Sequence, residues 1–484
     1  MSTTEISPLV RDLRAALGSD RVLHAPEDLL TYEYDASIDR AVPDVVVLPT
    51  TTEQVADAVR IATEHGVPVV PRGSGTGFAG GALAVQGGVL VALTGMNQIR
   101  EIDAENRTAT VEPGLINLQL QEALAPLGLE YAPDPSSQRI CTIGGNVGTN
   151  SGGPHTLAYG STVNHILGME VVLPGGRVTR FGGRQLDAAG IDLRGVFVGS
   201  EGTLGIVTAI TVRLVRKHEV IRTMLAIFDT IDDASEAVSE VIRRRVVPMA
   251  MEMLDHETIR VVEPRVHAGY PLDAGAVLLI EIEGTAETVT HDTAVVVAAC
   301  EAQLAREVRV AEKKSEREAL WEGRKSAIGA LGSTSPAIYL LDGVVPRTRL
   351  PDVLRQILDR SAAAGFRCAN MFHAGDGNLH PTVLFDPSEE GATERVLELG
   401  GEIMQLCVEA GGSITGEHGV GVEKRSYMSW IFSESDLEAM GRVRIAFDPT
   451  GLFNPCKVLP TGHGCAQGHF PQLEKHLETS GVYV

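Results

Sequence analysis

Several things are scarce in this chain. Aromatic residues make up only 4% of its 484 positions. No apolar run approaches the ~20 residues that a bilayer span requires. The nearest, TAVVVAAC at 293–300, is short and flanked by charges. No Cys-x-x-Cys pair occurs; Cys141, Cys300, Cys368, Cys407, Cys456 and Cys465 are scattered singly. That argues against a four-cysteine iron–sulfur cluster within the chain and fits a reducing cytoplasm. Positive charge is in deficit: 41 basic residues face 63 acidic ones, a formal charge of −22. Such a surface repels phosphate backbones and anionic membranes, so nucleic acid is not an expected partner. No Gly-Lys-Ser/Thr occurs, which excludes a Walker loop. The first twenty residues carry no apolar core before a cleavage site, so no secretory signal is expected. Ile6, Leu9, Val10, Leu13 and Leu17 instead give the spacing of an amphipathic helix.

Glycine, by contrast, reaches 52 residues, in a chain long enough for two or three domains. DVVVLPT at 44–50 predicts a short buried strand. Thr50 or Thr51 then caps a helix, with Glu53 or Gln54 placed to complete a capping box. Val55, Ala58, Val59 and Ala62 form its apolar stripe, Gly66 ends it, and VPVVP predicts a second strand. That strand runs into PRGSGTGFAGGAL at 71–83. Glycines there permit close approach of the backbone, and successive N–H groups make a nest for an anion. A flexible surface loop is the plainer alternative. Two more glycine-rich segments follow, TIGGNVGTNSGG at 142–153 and GSEGTLGIVT at 199–208. Three in one region, with no internal repeat, point to one extended, phosphate-bearing cofactor.

Past about residue 219 the texture changes to strand-like runs (IRTMLAIF, GAVLLIEIEG) separated by helical ones (DDASEAVSEVIRRR), an α+β pattern. Four features there can carry chemistry. In LWEGRKSAIGALG, Arg324 beside Trp321 is either a packed surface side chain or a clamp for a carboxylate. In FHAGDGNLHP, His373 and His380 stand seven apart, which on one straight strand would put them on opposite faces. Gly375-Asp376-Gly377-Asn378 instead predicts a tight turn that returns both imidazoles to one side, where they can bind a divalent metal or merely pack. In SITGEHGVG, Glu417 can add a third ligand while its neighbour His418 faces another way. Two histidines and one carboxylate leave open positions, as a catalytic metal requires. FDPTGLFNPCKVLP at 447–460 reads as a turn after a helix.

PRGSGTG, TIGGNVGTNSGG and GSEGTLGIVT, in that order, resemble the FAD-binding domain of the vanillyl-alcohol-oxidase (PCMH) type. LWEGRKSAIGALG, NMFHAGDGNLHP, GGSITGEHGVG and FDPTGLFNPCKVLP resemble the FAD-linked D-2-hydroxyacid dehydrogenases, within them the flavin-bearing large subunits of glycolate oxidases. The resemblance spans about 20–460. It implies an α+β fold in which a FAD-binding domain (1–218, core 41–218) precedes a ferredoxin-like substrate domain (219–440). The segment 441–460 would return to the flavin, and 461–484 form a tail. It implies that Pro71, Arg72, Gly73, Ser74, Gly75, Thr76, Gly77, Gly80 and Gly81 hold FAD. Pro135, Ser136, Ser137, Gly144, Gly145, Asn146, Gly148, Thr149, Asn150, Ser151, Gly152 and Gly153 would join them, with Glu201, Gly205, Ile206, Val207 and Asn454. Residues 72–81 contain no histidine, so the FAD is expected to be non-covalent. A divalent metal (zinc, manganese or iron) is expected on His373, His380 and Glu417, a base at His418 and a carboxylate clamp at Arg324.

The 2-hydroxyglutarate branch carries a Thr, a Lys and an Asn where this chain has Ile328, the stretch AIYLLDG and Thr382. A small monocarboxylate such as glycolate or D-lactate therefore fits better. Cytoplasmic placement is expected, peripheral to the membrane only through a partner. Electrons would pass to a flavin-domain and an iron–sulfur partner subunit or another acceptor, and a homodimer is compatible with the sequence. Two rivals stay open, a metallohydrolase with nucleotide-binding glycine loops and a non-catalytic flavin-binding relay subunit. The tail holds His463, Cys465 and His469, a second and weaker candidate for metal.

Overall fold

The computed structural model describes residues 7–185 and 190–460; Ile6 and the tail's His463, Cys465 and His469 lie outside these. The chain divides into two compact units. Among the described residues, one comprises 7–151, 161–185, 190–216 and 417–460; the other comprises Gly152–Gly160 and Lys217–Gly416. The return to the first unit thus comes at Glu417, before the segment 441–460 for which the resemblance implies it. Gly152 and Gly153 group with the second unit.

In the first unit, an amphipathic helix, Pro8–Leu17, buries Val10, Leu13 and Leu17. The strand Val45–Val47 is followed by the helix Thr52–Glu64. Thr51 caps that helix by accepting from the Gln54 amide, and Gln54 Oε1 accepts in return from the Thr50 amide at 2.8 Å. This reciprocal pairing satisfies amides that the first turn leaves open. The strand Val69–Arg72 then pairs in parallel with Val89–Ala92, which also pairs in parallel with Val45–Val47. Gly66, at φ +65°, ends the helix in a conformation that costs glycine little. A second, five-stranded antiparallel sheet runs Ile99–Asp103, Thr108–Val111, Ile206–Arg213, Ile166–Leu173, Arg177–Gly182 in spatial order. Near the end of the described chain, Val69 donates to Leu452 O and Asn454 donates to Val69 O, both at 2.8 Å. The residues 452–454 thereby lie along the first cofactor-loop strand.

The second unit is a sheet covered by helices. Its first four strands are Val220–Phe228, Ala250–Asp255, Ala276–Gly284 and Glu307–Val310. They lie in the order fourth, first, third, second, every pairing antiparallel. This is the ferredoxin-like order, with an additional helix, His256–Val266, inserted between the second and third strands. The strand Arg367–His373 extends the sheet beside Ala250–Asp255. Thr230 and Thr285 cap the helices Ile231–Arg243 and Ala286–Ala302. TAVVVAAC falls inside the latter, and among the described residues no helix is long and apolar enough to cross a membrane.

Candidate active site

The glycine-rich stretches of the first unit divide into two kinds. At some positions a side chain would strike the protein itself. A Cβ on Gly73 would sit 2.5 Å from Thr142 Oγ1, and one on Gly75 2.1 Å from Arg72 Nη2. At Gly77 and Gly148 a Cβ would meet nothing within 4 Å, so the backbone there borders open space. Arg72 is buried; its Nη2 donates to Tyr34 O at 2.7 Å, while Nη1 has no hydrogen-bond partner among the described residues. A buried, unpaired guanidinium nitrogen beside an open glycine backbone suits an anionic ligand.

The second stretch is not a loop throughout. Ile143–Thr149 form a short helix capped by Thr142, whose Oγ1 accepts from Gly145 N at 3.1 Å. Asn146 and Asn150 brace this region with their side chains. Asn146 Nδ2 reaches Ser151 Oγ at 3.3 Å, and Asn150 Oδ1 accepts from Val163 N at 2.9 Å. Pro135–Ser137 form a turn, with Ser137 O accepting from Ile140 and Cys141. Gly205, at φ +151°, leads into the buried Ile206 and Val207.

Glu201 ties the third stretch to the segment that carries His418. Its carboxylate is buried and accepts from Val420 N at 2.7 Å and Gly421 N at 2.9 Å. Burial pushes that carboxyl up, and the two amides and Lys457 offset this only in part. Asn454 donates to the carbonyls of Gly81 at 2.8 Å and Glu201 at 2.6 Å. The buried Lys457 donates to Leu83 O at 2.6 Å and Asn454 Oδ1 at 3.0 Å. Asn454, Cys456 and Val458 all adopt positive φ (+37°, +61° and +65°). Such strain persists only where the surroundings over-determine it, and these side-chain anchors do so. The His418 ring packs on Phe78, ring centroids 4.8 Å apart, which seats the proposed base against the first glycine loop.

In the second unit, FHAGDGNLHP forms the hairpin its composition predicts. His373 pairs with Asn378, and Asn370 pairs with Pro381 in the same register. Partners across a ladder share a face, as do residues two apart. His380, two beyond Asn378, therefore joins His373 on one face, with ring centroids 5.1 Å apart. The turn depends on Gly377, at φ +80°, where a Cβ would lie 2.1 Å from Val345 O. His380 Nδ1 lies 3.3 Å from Leu341 O.

Glu252 stands directly across the ladder from His373 and is fully buried. Its Oε1 lies 2.8 Å from His373 Nδ1, and its Oε2 accepts from Arg324 Nε at 2.7 Å. Burial alone would raise this carboxyl; the charges of His373 and Arg324 outweigh it and hold it below the usual range. Arg324, at the end of the helix Lys314–Lys325, is also buried, so it is not a snorkelling surface side chain. Asp342, buried behind His380, accepts from Thr415 Oγ1 at 2.6 Å and from Gly416 N at 3.0 Å, immediately before Glu417.

Residues 217–458 match the family model described as FAD linked oxidases, C-terminal domain, and residues 43–182 match the FAD binding domain. The chain is 44% identical to glycolate oxidase subunit GlcD of Escherichia coli, over 96% of this chain and 95% of that one. It is equally 44% identical to the Bacillus subtilis protein of that name, over 89% and 92%. The chain belongs to the FAD-linked oxidases. Identity to D-lactate dehydrogenase of Anaerostipes hadrus is 30%, over 94% and 98% of the two chains. Among solved structures, p-cresol methylhydroxylase superposes with a TM-score of 0.81 at 19% identity, covering 97% of this chain and 99% of that one. 4-ethylphenol oxidase from Gulosibacter chungangensis gives 0.74 at 17%, covering 95% and 99%. These two share the fold, the vanillyl-alcohol-oxidase type with a PCMH-type FAD-binding domain. As an FAD-linked oxidase the chain is an oxidoreductase and binds FAD, and the unpaired Arg72 nitrogen and open backbone at Gly77 and Gly148 fit that cofactor. Sequence reasoning missed Glu252 and Asp342. Glu252 lies in the strand Ala250–Asp255 among apolar residues and Asp342 just beyond the strand Ala337–Leu340, and only tertiary packing gives them their partners.

Proposed function

We propose that this FAD-linked oxidase oxidises a small D-2-hydroxy acid, glycolate or D-lactate, to the 2-oxo acid. The observation that carries the reading is the buried cluster of Arg324, Glu252, His373 and His380: a cation for a carboxylate beside two metal-competent imidazoles. The 44% identity to glycolate oxidase subunits supports it. Bound FAD supplies the acceptor for the hydride that leaves the substrate α-carbon. His373, His380 and Glu417 would hold a divalent metal, which would polarise the α-hydroxyl. The donor set fits such an ion: two imidazoles on one sheet face, one with its Nδ1 against a carboxylate, as metal-bound histidines usually are. Arg324 receives the substrate carboxylate, and His418 takes the hydroxyl proton as general base. Of the two transfers that such an oxidation needs, the one carried by this chain's own residues is that of the hydroxyl proton to His418.

Ile328 and Thr382 offer no second cation, so a dicarboxylate is disfavoured. Electrons leave to a partner subunit or another acceptor, because the chain has no cysteine pattern for a cluster of its own. The purified yellow protein, mixed anaerobically with glycolate, D-lactate, L-lactate and D-2-hydroxyglutarate, tests this. Rapid bleaching by glycolate or D-lactate is expected. Bleaching by none of them would favour a relay subunit, and by D-2-hydroxyglutarate alone would overturn the substrate class.

A further inference from the structure

The structure assigns Glu252 as a positioning residue that orients both the metal-binding imidazole of His373 and the substrate-binding guanidinium of Arg324. This rests on the metal reading proposed above. A fully buried acid in the middle of a sheet is costly unless its oxygens are satisfied. Here both are. Oε1 and Oε2 lie 2.8 and 3.0 Å from His373 Nδ1, and Oε2 also takes Arg324 Nε and Nη2, each at 2.7 Å. The partners come from two different elements, the strand Arg367–His373 and the helix Lys314–Lys325. One carboxylate therefore sets the geometry of two functional groups at once.

The consequences differ for the two partners. With Glu252 ionised, His373 Nδ1 carries the proton that it donates. The lone pair of the ring is then on Nε2, which fixes the tautomer that a metal needs. On Arg324, the Nε–Nη2 edge is committed to Glu252. Nη1 also donates to the weak acceptor Met371 Sδ at 3.9 Å, and the Nη1–Nη2 end is the edge left to take a carboxylate two-pronged. That geometry suits one substrate carboxylate, which agrees with a small monocarboxylic acid. A merely structural Glu252 would only neutralise Arg324, so removing both charges together, which folds often tolerate, would leave metal binding unchanged.

The test separates these roles with Zn(II) alone, titrated into chelator-stripped, FAD-loaded full-length protein against a competing dye. Glu252→Gln should weaken Zn(II) binding about 10–100-fold, the usual cost of losing such a partner. Arg324→Met should leave it unchanged within error, since Glu252 still holds His373. In the event that Glu252→Gln does not fold, Glu252→Gln/Arg324→Met removes both charges together and should show the same 10–100-fold loss. Wild-type affinity in that double variant, with His373→Ala losing the metal, would overturn the role of Glu252 and leave the metal reading standing. If His373→Ala bound Zn(II) as wild type does, the metal reading would fail and take the inference with it.

Discussion

The two units make their sites by opposite means. In the FAD-binding unit the backbone does most of the work. Glycines at 73 and 75 let the chain fold tightly on itself around Thr142 and Arg72, while those at 77 and 148 keep space open. The side chains of Asn146, Asn150, Glu201 and Asn454 brace this scaffold by bonding other parts of the protein. In the second unit the backbone is regular sheet, and the chemistry rests on side chains aimed from ladder positions: Glu252 opposite His373, with His380 diagonal to it. A cofactor much larger than any side chain is suited to an extended backbone surface. The small acid proposed as substrate needs a few charges at fixed points, and a sheet supplies fixed points.

Three substitutions would break or sharpen that contrast. The largest effect is expected from His418→Ala. His418 is the one proposed catalytic group carried by the backbone-built unit, and losing a general base should slow flavin reduction by about 10²–10⁴-fold. Stopped-flow bleaching should show this with FAD content unchanged; wild-type bleaching would remove His418 from the mechanism. Gly377→Val comes next. It places a β-branched residue at φ +80° against Val345 O, a backbone penalty of at least about 1–2 kcal/mol. Thermal stability and metal content should both fall although no ligand is touched. Unchanged metal content would show that the hairpin is not what brings the histidines together.

The most narrowly confined effect, limited to one pH window, concerns Lys457, the buried cation of the backbone-built unit. Burial lowers its pKa from 10.5 to about 8, partly opposed by Glu201 and Asp35. Above pH 8 the folded protein sheds this proton while the unfolded chain keeps it up to 10.5. The unfolded state then binds more protons, so Lys457 makes stability rise with pH across that window. Lys457→Met should remove this component, read as the difference between denaturation curves of variant and wild type from pH 8 to 10.5. An identical pH slope in the two proteins would show that Lys457 titrates normally.

Local chemistry was enough for many of the elements and for the hairpin that brings His373 and His380 to one face. Threonine caps, the apolar stripe of residues 55–62, and the hairpin with its diagonal histidines all follow from sequence periodicity and glycine placement. Asp376-Gly377 in the hairpin is readable because a positive φ has a residue signature. The same rule explains why Cys456 attracts notice: it holds φ +61°, where glycine is the usual choice, and the sequence alone gives no reason for that. The helix at 143–149 was less visible, since three glycines in seven residues mask the Thr142 cap that starts it.

What the sequence determined by itself was the presence of a glycine-built cofactor unit, an α+β second unit, and the residue types for oxidation chemistry, because these depend on neighbours a few positions apart. What only the tertiary structure decided was where the charges pair. Glu252 meets His373 across 121 positions of chain, and Glu201 meets Gly421 across 220. Contacts of that span are set by strand order and packing, for which no local pattern exists. Burial then decides their strength: far from water, one carboxylate must be shared or neutralised, and its partners are thereby fixed in place.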